Sequence, residues 1–166
     1  TVFQFMKFAS ITTLAVSLAC LTLDSTRAAD WPQWRGPDRT DVSKETGLLK
    51  AWPEGGPKVI WTYRDAGTGY SGPAISNGSV FLMGGRGDAE FLIALDEETG
   101  RERWATRMGS LLTNRWGDGP RGTPTVDGDR VYALSASGNL VCATTADVTI
   151  VWSQSMESLG GDVPGW

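Results

Sequence analysis

The chain has 166 residues, is 40% hydrophobic, and carries 21 glycines, eight tryptophans, two cysteines, no histidine and a net charge of −4. A chain of that length ordinarily makes one domain, and its mild acidity excludes the basic surface that phosphate backbones require, so no nucleic-acid partner is expected. Without histidine, neither imidazole acid–base chemistry nor imidazole metal ligation is available within these residues.

In chain order, the first element is a leader. Met6 and Lys7 make a short basic start, an apolar run follows from Phe8 to Leu23, and the small residues of "STRAAD" come next. That layout is a secretory signal peptide spanning residues 1–29, with Ala28 or Ala29 as the last residue removed and Met6 as the start. Ser10, Thr12, Thr13 and Ser17 interrupt a run already short of the roughly 20 residues that span a bilayer. Lipid attachment at Cys20 is the less favoured reading, because Ser17 stands where such sites usually carry leucine. Removing the leader takes two bases, Lys7 and Arg27, against one acid, Asp24, and leaves Cys142 as the single cysteine. The mature chain is therefore expected in the periplasm or cell envelope, without an internal disulfide despite the oxidising compartment.

Residues 30–56 are rich in Pro, Gly and Trp and are expected to wrap the domain without regular structure. From residue 57 onward the chain repeats. Pro73, Ile75, Val80 and Phe81 match Pro124, Val126, Val131 and Tyr132 at an offset of 51, while Leu92 and Trp104 match Leu140 and Trp152 at 48. Apolar runs separated by turns such as Asn77-Gly78 and Asp127-Gly128 place strands near 72–76, 79–84, 90–96 and 101–107, then near 123–126, 130–135, 139–143 and 149–154. No segment after Asp30 has the period of an amphipathic helix. Four strands recurring at about 50 residues describe the blade of a β-propeller. The fold class is all-β, with antiparallel four-stranded blades over residues 57–166, about two of them, in an incomplete ring.

Two glycine clusters test that reading. "GTGYSG" (67–72) and "GDGPRG" (117–122) both have the G-x-G-x-x-G spacing of a pyrophosphate loop. Such a loop needs a helix after it, whereas Pro73 and Pro124 lead here into strands. Both clusters hold the same place in successive units, so they are expected to be return links between blades.

The stretch "ALDEETGRERW" fits A-x-D-x-x-T-G-x-x-x-W through Ala94, Asp96, Thr99, Gly100 and Trp104. This resembles the docking motif of the pyrroloquinoline-quinone-like propeller repeats, the family of quinoprotein alcohol dehydrogenases. The resemblance covers Asp30 to Trp166 and implies that Trp104 packs an outer strand against the next blade. The second copy, "CATTADVTIVW", keeps only Trp152, and losing the glycine to Val148 leads one to expect a distorted or longer turn. The first, "AWPEGGPKVIW", keeps Ala51 and Trp61, and would be an outermost strand that closes the ring. Since the family's rings usually hold seven or eight blades, the chain is expected to be an N-terminal fragment of a longer protein.

The family's enzymes hold quinone and Ca²⁺ with a tryptophan floor, charged groups and often adjacent cysteines, and no position here can be assigned to those roles. Asp127 and Asp129 flank a hairpin glycine, and Asp96, Glu97 and Glu98 sit in the docking turn, so neither set reads as a metal or acid–base site. The ligand-face candidates are Arg115, Trp116, Asp118 and Arg121, whose cation–aromatic pairing suits an anionic or planar group. The expectation is an exported scaffold that binds a protein or small-molecule ligand at the propeller face. The alternatives are a quinone-dependent alcohol or sugar dehydrogenase, with catalytic residues expected beyond Trp166 and pyrroloquinoline quinone with Ca²⁺ as cofactor, or the first domain of a larger protein.

Overall fold

The structure is a computed structural model that describes residues 28–162, so the expected leader lies, apart from its last two residues, outside the described residues. Eight strands form two separate antiparallel sheets. Blade 1 contains β1 (Ala74–Ser76), β2 (Ser79–Arg86), β3 (Ala89–Asp96) and β4 (Glu102–Ser110), paired in the order β1-β2-β3-β4. Blade 2 repeats the order with β5 (Thr125–Asp127), β6 (Arg130–Leu134), β7 (Asn139–Thr144) and β8 (Ile150–Ser155). The one helical element among the described residues is a single 3₁₀ turn at Glu157–Leu159.

The strands follow from alternation. On blade 1, Phe81 lies opposite Ala94, which lies opposite Trp104, and all three face blade 2. Their neighbours Val80, Ile93 and Leu95 face the other way, against Trp61 and Tyr63. On blade 2 the register is the same: Tyr132 opposite Cys142, and Cys142 opposite Trp152. Val131, Ala133, Val141 and Ala143 turn back to close the shared core with Phe81, Met83, Leu92 and Trp104. The two sheets are thus one packed unit, as stacking two half-buried faces requires. Cys142 is buried and unbridged.

The glycine clusters are links, as read from the sequence. The first runs into β1, the second into β5, and they lie against each other: the Tyr70 amide donates to the Pro120 carbonyl at 2.8 Å. A Cβ on Gly119 would stand 2.5 Å from the Thr68 carbonyl oxygen, which is why this position takes glycine.

Residues 30–56 show turns, bends and one isolated bridge, and the outermost strand expected to end at Trp61 does not form, since residues 57–63 pair with no strand. The N-terminal segment is nonetheless anchored, because Trp31 pairs with Ile75 in an antiparallel bridge.

Candidate functional site

Three local constructions position the side chains that matter. The first is the inter-blade dock. Trp61 Nε1 donates to the Glu97 carbonyl at 2.8 Å, and Trp104 Nε1 donates to the Thr145 carbonyl at 3.3 Å. Glu97 and Thr145 are equivalent positions in the two β3–β4-type turns, so the contact repeats from unit to unit. Gly100 has φ +68 and lies under the Trp61 ring, where a Cβ would come within 2.5 Å.

The second turn differs in chemistry more than in length. In the first, Asp96 Oδ1 accepts from the Thr99 amide at 2.9 Å and the Thr99 hydroxyl at 2.7 Å. In the second the partners are exchanged: the Thr144 hydroxyl donates to Asp147 Oδ1, which also accepts the Thr149 amide at 3.0 Å. The strand-closing amide bond survives in both, from Asp96 N to the Arg101 carbonyl and from Thr144 N to the Thr149 carbonyl. The expected lengthening does not occur. The expected distortion does, since residues 145–148 form bends where 97–99 form a hydrogen-bonded turn. Arg103 and Thr99 hold the Asp96 carboxyl well below the usual carboxylate range, and hydrogen bonds from Thr144 and Thr149 lower Asp147.

The second construction is a clip at the end of the sheets where the links run. Glu90 on β3 is fully buried. Its Oε1 accepts the Leu112 amide at 3.1 Å and its Oε2 the Ala136 amide at 2.7 Å, tying the exit of blade 1 to the β6–β7 turn of blade 2. Nearby, Arg86 donates to Glu102 at 2.7 Å and to the Tyr63 hydroxyl, which itself donates to Glu102. Burial and the Glu102 hydrogen bond push Tyr63 up to about 12, so the phenol stays neutral, while the Arg86 hydrogen bond lowers Glu102.

The third is the second link, which carries the four ligand-face candidates. Asp118 Oδ1 accepts the Asn114 amide at 3.1 Å, and Asn114 Oδ1 accepts the Trp116 amide at 2.8 Å, folding the loop on itself. The Arg121 guanidinium donates to the carbonyls of Gly117 at 2.7 Å and Gly119 at 3.0 Å. Asp118 and Arg121 therefore bind the link. Arg115 and Trp116 come together differently, with the guanidinium 4.6 Å from the ring centroid and Trp116 64% exposed. Beside them Trp34, Tyr70, Arg121 and Thr123 border an open recess of about 500 Å³. Arg121 lies 5.5 Å from the Tyr70 ring centroid. A rigid floor with exposed aromatic walls can stack against a planar or apolar group, with a cation at its rim.

Sequence reasoning did not single out Glu90, Trp34 or Tyr70. An acid inside the apolar run of β3 and aromatics in glycine-rich stretches were the available signals.

Among the described residues no three Asp, Glu, Cys or His side chains converge as a metal site needs, and Asp127 and Asp129 flank Gly128 at the β5–β6 turn.

Residues 88–164 match the family described as outer membrane protein assembly factor BamB. No curated protein matches the chain. Among solved structures, BamB from Moraxella catarrhalis is 22% identical with a TM-score of 0.46, over 58% of this chain and 27% of that one. A europium-containing methanol dehydrogenase is 23% identical with a TM-score of 0.38, over 49% of this chain and 14% of that one. The chain thus spans well under two thirds of either protein. The blade order, the recurring tryptophan dock and the family match over residues 88–164 agree on one architecture, a pyrroloquinoline-quinone-like β-propeller repeat.

Proposed function

We propose that the chain belongs to an exported propeller protein that acts as a binding or assembly scaffold in the cell envelope. One observation carries the reading: at the link end, the charged groups Glu90, Asp118 and Arg121 hold backbone in place, while Trp34 and Tyr70 stand exposed at the recess and Trp116 stands exposed on the second link. Fixed loops that present aromatic anchors are the build of a binding surface. The family match to an outer-membrane assembly factor supports the same reading. Export rests on the leader-like sequence of residues 1–29.

The test uses the full-length protein in its own cells. A photo-crosslinking residue at Trp116 is expected to trap a partner in the envelope fraction, and one at Asp129, on the opposite end of blade 2, is not. Equal trapping at both positions, or a protein confined to the cytosol, would overturn the proposal. Bound quinone with Ca²⁺-dependent dye reduction would replace it with the dehydrogenase reading.

A further inference from the structure

β1 and β5 are the inner strands of their blades, each three residues long, and each has one free edge. A free edge presents unpaired amides and carbonyls, and native proteins cover such groups. Here a single short segment covers both. Trp31 exchanges two backbone hydrogen bonds with Ile75, at 2.8 and 2.9 Å. One residue later the Pro32 carbonyl accepts the Val126 amide of β5 at 2.8 Å. At the other end Asp30 Oδ2 accepts both the Ser76 hydroxyl and the Asn77 amide, each at 3.0 Å.

Each residue of the triplet suits its place. The Asp30 carboxylate takes two donors at the β1–β2 turn. Trp31 supplies the paired backbone and a ring that packs at Gly36, where a Cβ would stand 2.7 Å from it. Pro32 has no amide to leave unpaired where the segment steps from one blade to the next, yet its carbonyl still accepts. The segment is joined to blade 1 through residues 37–62, a long run of turns, bends and irregular chain.

We propose that the inner edges of β1 and β5 form a strand-acceptor site, filled in cis by Asp30–Pro32, and that an extended peptide with an acid–Trp–Pro sequence takes the same place in trans. This is strand addition at a sheet edge, with the main chain supplying affinity and the carboxylate supplying register. The edges that an axial ligand would meet are therefore already engaged by the protein itself. The inference stands on these hydrogen bonds and not on the scaffold reading.

Residue-resolved hydrogen exchange on the intact protein tests it. In the wild type the Ile75 and Val126 amides are expected to be protected, and their exchange at the rate of open loop amides would overturn the proposal. In the variant Asp30→Ala/Trp31→Ala both should lose protection while Leu92 and Val141 keep theirs. Adding a synthetic peptide, ADWPQWRG, should restore it, and the same peptide with alanine at the acid and first tryptophan should not. Retained protection in the variant, or failure of the peptide to restore it, would overturn the acceptor site. Should the double variant lose the core amides too, Asp30→Ala alone decides: the Asn77 amide must lose protection, and if it does not, the proposal fails.

Discussion

Blade 1 and blade 2 share strand order and register, yet they differ in what covers them. Blade 1 is packed on both faces, by Trp61 and Tyr63 behind and by blade 2 in front. Blade 2 is packed on one, and Leu134 and Trp152 on its other face are each more than 40% exposed. The same residue type at the same register position therefore does different work. Trp104 is 8% exposed and lies 5.9 Å from the Phe81 ring, whereas Trp152, opposite Cys142, is 42% exposed and lies 6.1 Å from Tyr132. A blade is stabilised by its neighbours more than by its own sheet, which is the behaviour of a repeat array.

The sharpest way to break the comparison is to remove both tryptophans in turn. Trp104→Ala empties a buried site and its hydrogen bond to Thr145, and should cost about 3–5 kcal/mol. Trp152→Ala loses a half-exposed ring contact, and should cost about 1 kcal/mol. Urea unfolding of each variant checks this, and equal losses would show that the dock does not depend on the neighbouring blade.

Glu90→Ala comes next. It leaves the Leu112 and Ala136 amides without their carboxylate in a site closed to water, and should cost about 2–3 kcal/mol. Exchange at both amides should rise together, because one carboxylate serves both blades. A rise at only one would mean that Glu90 belongs to one blade and is no clip.

Much of this architecture is legible in the sequence, for physical reasons that differ by residue. The strands show because the apolar runs in "VFLMGG" and "VYALSA" follow the turn pairs Asn77-Gly78 and Asp127-Gly128, and the dock shows because Asp96, Thr99, Gly100 and Trp104 each meet a steric or hydrogen-bonding demand that few residues satisfy. The exchanged turn at Thr144 and Asp147 does not show. A carboxylate and a hydroxyl can trade ends of one hydrogen-bonded turn, and a pattern that fixes residue type at each position reads the trade as a loss. Glu90 and the Asp30–Pro32 segment are hidden for a different reason: their partners lie 22, 46 and 47 residues away, so no local spacing records them. Of the ligand-face candidates, Arg115 and Trp116 could be paired as neighbours, whereas the turning of Arg121 onto its own link depends on backbone carbonyls that a sequence pattern does not contain.

The two turns offer a smaller test of how much glycine matters. At Gly100, φ is +68 and the Trp61 ring stands over the position, so Gly100→Ala should cost about 1–2 kcal/mol through strain and a forced shift of the ring. At the equivalent Val148, exposed and without that overhang, Val148→Ala should change stability by less than about 0.5 kcal/mol. Comparable losses at both would mean that the second turn is as tightly seated as the first.

Acid separates the same turns by charge. Asp96 is held low by Arg103 and then Thr99, and Asp147 is lowered by Thr144 and Thr149 without an arginine. For a carboxylate held below its unfolded value, near about 4, the stabilisation is complete above that value and is lost as pH falls through the folded one. Both turns should therefore weaken in acid, neither in mild base. Both groups are solvent-facing, so the effect is smaller than the packing losses above. The stability gap between wild type and Asp96→Asn should be widest at neutral pH and narrow as pH drops from 7 towards about 2. The gap for Asp147→Asn should have the same sign and be smaller, because only hydrogen bonds, and no cation, favour its charged form. Unfolding curves at several pH values check both, and a gap for Asp96→Asn that stayed constant with pH would show that its carboxylate acts as a hydrogen-bond acceptor whose charge contributes nothing. A gap for Asp147→Asn as wide as that for Asp96→Asn would show instead that Arg103 contributes nothing to the turn, and that the exchanged pair in blade 2 closes it as firmly as the original in blade 1.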